Sequence, residues 1–414
     1  MARRKAQPQA PRKRPGPGGG VGAGDVAKRS SWIWAGVGLL GMGLCLLLAG
    51  ILALPGPGTD NRPAALRVRA ETAAQAGRWE EAQALWKRVN QAPGATADSY
   101  RAEARASLGL GRAGQAEAAL VKASELDPTR PDPWLMRLEI ARMEDRPLEA
   151  LAISQAAWAV VPPASHRAIA QAVTLALLAG TPEELARETL TRWIHADPAD
   201  LDARAALERI RILNTEPSDP PLDVRISQLE ELLSRHPEHT GLREALLLSL
   251  AEQGNYERGR TVLEAWPETG KDARYERLAG RWDLDYNEQP ALAVDHFRNA
   301  LRDLPFDWKT HYRLARALQA IGQTEAARRA AVELGRIRER LDPTRLGRQL
   351  EETLGRLDEP ASRRSLAELC ASVGLDQLAE FWRNDTGRPA APESVDPLMK
   401  DRPFRLPSVT PARR

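Results

Sequence analysis

Residues Gly111–Pro128 read GRAGQAEAALVKASELDP. The stretch opens on a glycine, carries Ala116, Leu120 and Ala123 three and four residues apart, and closes on Asp127-Pro128. That spacing draws one apolar stripe along a helix. Gly111 stands where a preceding helix must end and reverse, a place suited to a left-handed backbone. Pro128 cannot continue a helix, and the residue before a proline is pushed towards an extended link.

The same pattern recurs at 34 residues. Gly77-Arg78-Trp79-Glu80-Glu81-Ala82 precedes it, and Asp145-Arg146-Pro147-Leu148-Glu149-Ala150 follows. In step with them stand Leu66, Tyr100 and Trp134, and then Val89, Ala123 and Ala157. The second half repeats the period in Gly259, Ala293 and Ala327, in Leu263, Phe297 and Ala331, and in Trp266, Ala300 and Leu334. A 34-residue period implies two helices and two turns per unit, with a small residue at the closest helix crossing and a large one filling the groove a turn later.

These residues resemble the tetratricopeptide repeat, and Gly111–Pro128 is similar to its second half. The resemblance covers residues 63–340 as about eight units, whose small position holds Ala82, Ala116, Ala150, Ala186, Arg225, Gly259, Ala293 and Ala327. Spacing stretches to 36 before Ala186, around Gly180-Thr181-Pro182, and to 39 before Arg225, around Asn214–Pro221. Both additions are expected in the turn between paired helices, where a solenoid tolerates them. Unit five departs most, because Arg225 stands where a small residue is usual. The implied fold is all-α, a right-handed superhelical α-solenoid of helix-turn-helix repeats. Arg345–Leu357, Ala361–Gly374 and Asp376–Trp382 read as further helices, so residues 341–385 suggest a degenerate repeat or a cap over the last apolar face. Prolines crowd residues 386–414, which read as a disordered tail.

The chain has 414 residues, 43% hydrophobic and 28% charged, at a formal net charge of +3. These values fit a globular protein and give no whole-chain case for nucleic-acid binding. Two cysteines, Cys45 and Cys370, exclude a disulfide framework. Residues 32–54 carry no charge and are opened by Trp32 and Trp34; as a helix they are long enough to cross a bilayer. Residues 1–31 hold eight basic side chains against one acidic, which marks them as a disordered cytoplasmic tail. With 55–62 as a linker, the repeats are expected outside the cytoplasm of a cell whose membrane the segment spans once, as in a bacterial inner-membrane protein facing the periplasm. A cleaved signal peptide is the rival reading, although the segment is longer than a signal core and lacks a clean small-x-small site.

Chemistry is sparse. Gly109-Leu110-Gly111-Arg112-Ala113-Gly114 matches a dinucleotide motif, but a helix precedes it where a strand is needed. His236 and His239 flank Pro237 in a link, read as loop histidines without metal spacing. No catalytic residue, metal or cofactor is expected. Trp86, Trp193 and Trp266 fall in packing columns and Trp79 beside a turn glycine, whereas Trp158, Trp282, Trp308 and Trp382 are less constrained and could anchor a partner if exposed.

In the tetratricopeptide family a concave groove lined by first helices binds peptides. Carried over, the groove positions include Arg67 and Glu71, Arg101 and Arg105, then Leu135, Glu139, Arg142 and Met143, and finally Lys309, Tyr312 and Arg316. Arg67, Arg101, Arg105 and Arg142, with Tyr312 and Arg316, are thus the candidate peptide-binding residues, offering bidentate bonds to an acidic segment. The Lys/Asn pattern of members that clamp cytosolic chaperone tails is absent. The expected role is a membrane-anchored scaffold for a protein or peptide partner, with no nucleic acid and no small-molecule substrate. A secreted repeat protein and an enzyme with a hidden site are the alternatives.

Overall fold

The first six helices begin on a strict beat. In the computed structural model, which describes residues 62–386, α1 (Pro63–Gln75), α3 (Ala97–Gly109) and α5 (Pro131–Met143) start 34 residues apart. So do their partners α2 (Trp79–Gln91), α4 (Ala113–Leu126) and α6 (Pro147–Val160). The described residues hold nineteen α-helices and no strand. After α6 come α7 (His166–Thr174), α8 (Glu183–Ala196), α9 (Leu201–Leu213), α10 (Leu222–Arg235), α11 (Thr240–Gln253) and α12 (Tyr256–Glu264). Then follow α13 (Ala273–Asp285), α14 (Pro290–Asp303), α15 (Trp308–Ala320), α16 (Thr324–Arg340), α17 (Pro343–Leu354), α18 (Pro360–Ser372) and α19 (Asp376–Asn384). The basic tail 1–31, the expected transmembrane helix 32–54, most of the linker 55–62 and nearly all of the tail 386–414 lie outside the described residues. Among the described residues no helix is long and apolar enough to cross a membrane.

Local chemistry sets the helix ends. Asp200, Asp272 and Asp307 accept backbone N–H bonds at the starts of α9, α13 and α15, and Thr96 with Ser99 forms a reciprocal capping box on α3. The left-handed turn place recurs with the period: Gly77, Gly111 and Asp145, then Gly254, Glu288 and Gly322, all have positive φ. Asp145 and Glu288 hold it without glycine, at φ 50 and 54°, so position in the repeat outweighs side-chain preference there.

The expected columns pack. Ala82, Ala116, Ala150, Ala186, Ala293 and Ala327 are buried at the crossings, with Trp86, Leu120, Leu190, Leu229 and Phe297 buried one turn on. Gly259 takes the small place because the Trp282 ring fills it: a Cβ there would lie 2.2 Å from the ring. Trp282 and Trp382 therefore are not exposed anchors. Both are fully buried, the Trp282 indole N–H donating to the Tyr256 carbonyl and that of Trp382 to Thr174 Oγ1, each at 3.2 Å. Trp158 is half-buried against Phe381 and His166, and Trp308 alone of the four is exposed.

Pairing changes in units four and five. The additions fall in the turns after α7 and after α9, but those turns do not close hairpins. The helix α7 packs on α5, α6 and α19 and runs into a π-helical stretch, Leu175–Ala179, that packs on α17; α8 packs on α9, and α10 on α11. The crossing of α9 and α10 explains the latter break. Arg225 is buried there and pairs with buried Glu208 at 2.5 Å, while Ser249 donates to the same carboxylate. An ion pair takes the room that two small residues would have left, so the helices stand apart.

The chain then returns on itself. Trp193 of α8 and Ala196 pack against Gly111, the Gly114 N–H donates to Asp200, and the Gln115 amide donates to Asp197. The end helices α17, α18 and α19 share one core with α5, α6 and α7. Arg167 binds Asp385 at 3.0 Å to secure that junction.

Glu208→Ala strands Arg225 in the interior and should lower the unfolding free energy by about 3–5 kcal/mol. The double change Glu208→Leu with Arg225→Met should match or exceed the parent protein in the same urea melt.

Candidate functional site

Where α6 meets the second half, a cavity of about 600 Å³ opens between α9, α11, α13 and α15. Its walls carry apolar, basic and acidic side chains. Leu148, Leu178, Ile212, Leu248, Phe306 and Leu341 are apolar, whereas Arg146, Arg209, Arg274, Arg277, Arg281, Lys309 and Arg313 are basic. Acidic side chains reach it as well, among them Asp202, Glu244 and Asp307.

Most of these charges hold one another. Glu244, buried on α11, meets three arginines: it accepts from Arg277 of α13, and lies 3.6 Å from Arg274 and 3.8 Å from Arg209. Arg274 reaches across to Glu149 of α6 at 2.6 Å, and Arg277 reaches Asp307 at 3.6 Å. Arg209 donates to the Glu144 carbonyl at 2.7 Å. Burial pushes the carboxyls of Glu149, Glu244 and Asp307 up, but the guanidiniums beside them outweigh it and hold all three below their ordinary values.

A second knot lies beside it. Carboxylate oxygens of Glu117, Glu144 and Asp202 come within 4.8 Å of one another, a spacing that could hold a metal ion. Arg146 already sits among them, at 2.6 Å from Glu117, 2.7 Å from Glu144 and 3.6 Å from Asp202. The single guanidinium meets only part of their charge, and burial, with the neighbouring acids, pushes the Glu144 carboxyl well above its ordinary value.

The residues taken from the repeat resemblance divide. Arg67 is half-buried and donates to the Gly94 carbonyl at 3.0 Å, and Arg101 binds both Asp98 and Asp132 at 3.0 Å. Arg105 is half-buried on the same helix as Arg101. Arg142 is buried, clamped by Glu139 at 2.6 Å and donating to the Gly180 carbonyl and Thr181. It ties α5 to the altered turn after α7 and offers no guanidinium to a peptide. Tyr312 is exposed with Arg316 against its ring, and Arg316 binds Asp285 at 3.0 Å; neither lines the cavity. Lys309 does.

The glycine motif has three separate structural uses. A Cβ at Gly109 would lie 2.6 Å from the Trp79 ring, Gly111 holds the left-handed turn, and Gly114 leaves room for Asp200. His239 caps α11 through Nδ1, so it is more than a loop residue, while His236 is exposed. The cavity arginines Arg274, Arg277 and Arg281 were not foreseen. Their spacing of three and four puts them on one face of α13, a visible signal with no partner to interpret it in sequence.

No family model matches the chain, and no curated protein matches it. Solved structures do show likeness. A chain of the APC/C hetero-tetramer Cut9-Hcn1 is 16% identical, with a TM-score of 0.36, over 73% of this chain and 55% of that one. The present chain thus spans little more than half of that relative. A tetratricopeptide repeat protein from Parabacteroides merdae is 14% identical with a TM-score of 0.29, over 62% of this chain and 98% of its own. The human IFIT1 dimer with m7Gppp-AAAA is 15% identical with a TM-score of 0.31, over 76% and 72%.

A carboxyl lowered in the folded state contributes stability above its unfolded value and loses it as pH falls through the folded one. The contribution of these three carboxyls should therefore decline on acidification below about pH 4.3, the ordinary glutamate value, while Glu144, Asp200, Glu208 and Asp272, which burial pushes up, act in the opposite sense. Glu244→Gln should flatten part of that decline and cost about 3–5 kcal/mol at neutral pH, because three guanidiniums lose their shared anion. Denaturant melts across the pH range measure both.

Proposed function

We propose that the protein is a membrane-held helical-repeat scaffold that binds an acidic segment of another protein along the first helices of its N-terminal units. The observation that carries this reading is the cross-repeat alignment of half-buried arginines. Arg67 of α1 reaches the turn before α3, and Arg101 of α3 reaches Asp132 of α5, so successive first helices lie side by side with basic groups between them. Arg105 continues that surface by its place one turn after Arg101. Paired guanidiniums suit carboxylate recognition. An arriving acidic chain would compete with Asp98 and Asp132 for Arg101, and Arg130 would remain beside both aspartates.

Membrane attachment rests on residues 32–54, an uncharged run behind a strongly basic tail. The basic flank favours repeats outside the cytoplasm. Attachment would confine the binding surface to a layer near the bilayer and raise its effective concentration for partners held there. A polynucleotide partner is disfavoured by charge. Residues 1–31 hold eight basic side chains against one acidic and residues 387–414 six against three, which leaves the body between them net acidic.

A photo-reactive residue at exposed Val68, beside Arg67, should capture a protein in intact membranes, and the same residue at exposed Val332 of α16 should not. Arg67→Glu with Arg105→Glu should reduce the Val68 adduct at least fivefold. Equal capture from both positions, or an adduct indifferent to charge reversal, would remove this reading.

A further inference from the structure

Three cations at one end of the cavity are left over from the ion-pair network. Arg281 of α13 and Lys309 and Arg313 of α15 line it, and none has a carboxylate within ion-pair distance among the described residues. Lys309 and Arg313 are four apart and share a face of their helix. Arg281 hydrogen-bonds the Tyr286 side chain, but its buried Nε–H has no acceptor, a donor that costs free energy until it is met. Burial lowers the Arg313 guanidinium, and the like charge of Arg281 lowers it further, ahead of the help from Asp285 and Asp307. Two guanidiniums forced together in a partly dry site favour an anion between them.

Beside these cations the wall is apolar. Phe306 and Leu341 are half-buried and Leu248 of α11 faces the same space. The lining contains no Asn, Gln, Ser or Thr. An extended peptide brings a backbone donor and acceptor with every residue, and the only neutral hydrogen-bonding side chain on these walls is Trp308, whose indole N–H is a single donor. A bare inorganic anion would leave the apolar wall unused. A polyanion would meet Glu244, Asp202 and Asp307 in the same cavity. About 600 Å³ is within the range of small-molecule sites.

We infer that the cavity is a binding site for a small organic anion, with its oxyanion head between Arg281, Arg313 and Lys309 and its apolar body against Phe306, Leu248 and Leu341. This site is separate from the peptide surface on α1 and α3, and its existence does not depend on that reading. The head is a carboxylate or a phosphate monoester, which share the same arginine chemistry.

Calorimetric titration of the purified full chain in neutral detergent tests it, with 2-naphthoate and 2-naphthyl phosphate as probes. At least one should bind saturably to a single site, and the tighter of the two identifies the head group. The neutral 2-naphthalenemethanol should bind at least tenfold more weakly, as should the anion to Arg281→Gln with Arg313→Gln. Lys309 is exposed, so Lys309→Glu reverses a charge without disturbing the interior. It should weaken the anion at least threefold while helical circular dichroism stays unchanged, which keeps the test valid if the double variant does not fold. Absence of saturable binding by both probes would overturn the inference. So would equal binding of the alcohol, indifference to Lys309→Glu, or tighter binding of an acidic leucine-glutamate octapeptide with the same arginine dependence.

Discussion

Glu244 is buried at the cavity wall and has three arginines for company. Isolated, a carboxylate in that place would be intolerable; surrounded, it becomes the point where four helices agree on their positions. Arg209 comes from α9, Arg274 and Arg277 from α13, and Arg274 carries the linkage on to Glu149 of α6. Unlike apolar contacts, these pairs are directional: a shift of a few ångströms would leave a buried charge unmatched. The network therefore fixes the distance across the cavity, which hydrophobic stacking between sequence neighbours would not by itself determine.

The need for such a network follows from the broken pairing in the middle of the chain. An ideal array of hairpins propagates by contact between adjacent units. Here α7 and α8 part company, and Arg225 with Glu208 holds α9 off α10. The helices α8 and α9 instead lean on α4, through Trp193 against Gly111 and Asp200 against Gly114. The surface of α7 that its own partner would have covered is taken by the returning helices α17 to α19, including Trp382 against Thr174. Closure of this kind removes the exposed apolar end that a repeat array must otherwise cap.

The two proposed binding sites divide along the same line. The N-terminal hairpins keep regular spacing and a basic surface between successive first helices, suited to a partner segment. The returning half encloses a cavity whose walls combine leftover cations with leucines and Phe306, suited to a smaller guest. A guest between α13 and α15 would bear on the helices that Arg274 and Arg277 tie to the rest. Occupancy there would be felt through the network by α6 and α9.

Periodicity in the chain determined the helices, their turns and their core columns, since alternating stripes and turn glycines act over a few residues and need no distant partner. Even Asp145 was placed by counting 34 from Gly111. The two lengthened turns were equally visible, as was the misfit of Arg225. Their consequence was not, because whether a long turn closes a hairpin depends on what else competes for the helix face. The same reason separates the arginines. Arg101 and Arg142 are the same residue type, both carried over as groove positions, but one is half-buried beside two aspartates and the other is sealed against Gly180. Charge in sequence is a property of one residue; whether it is spent or available depends on the carboxylates that tertiary packing brings within reach.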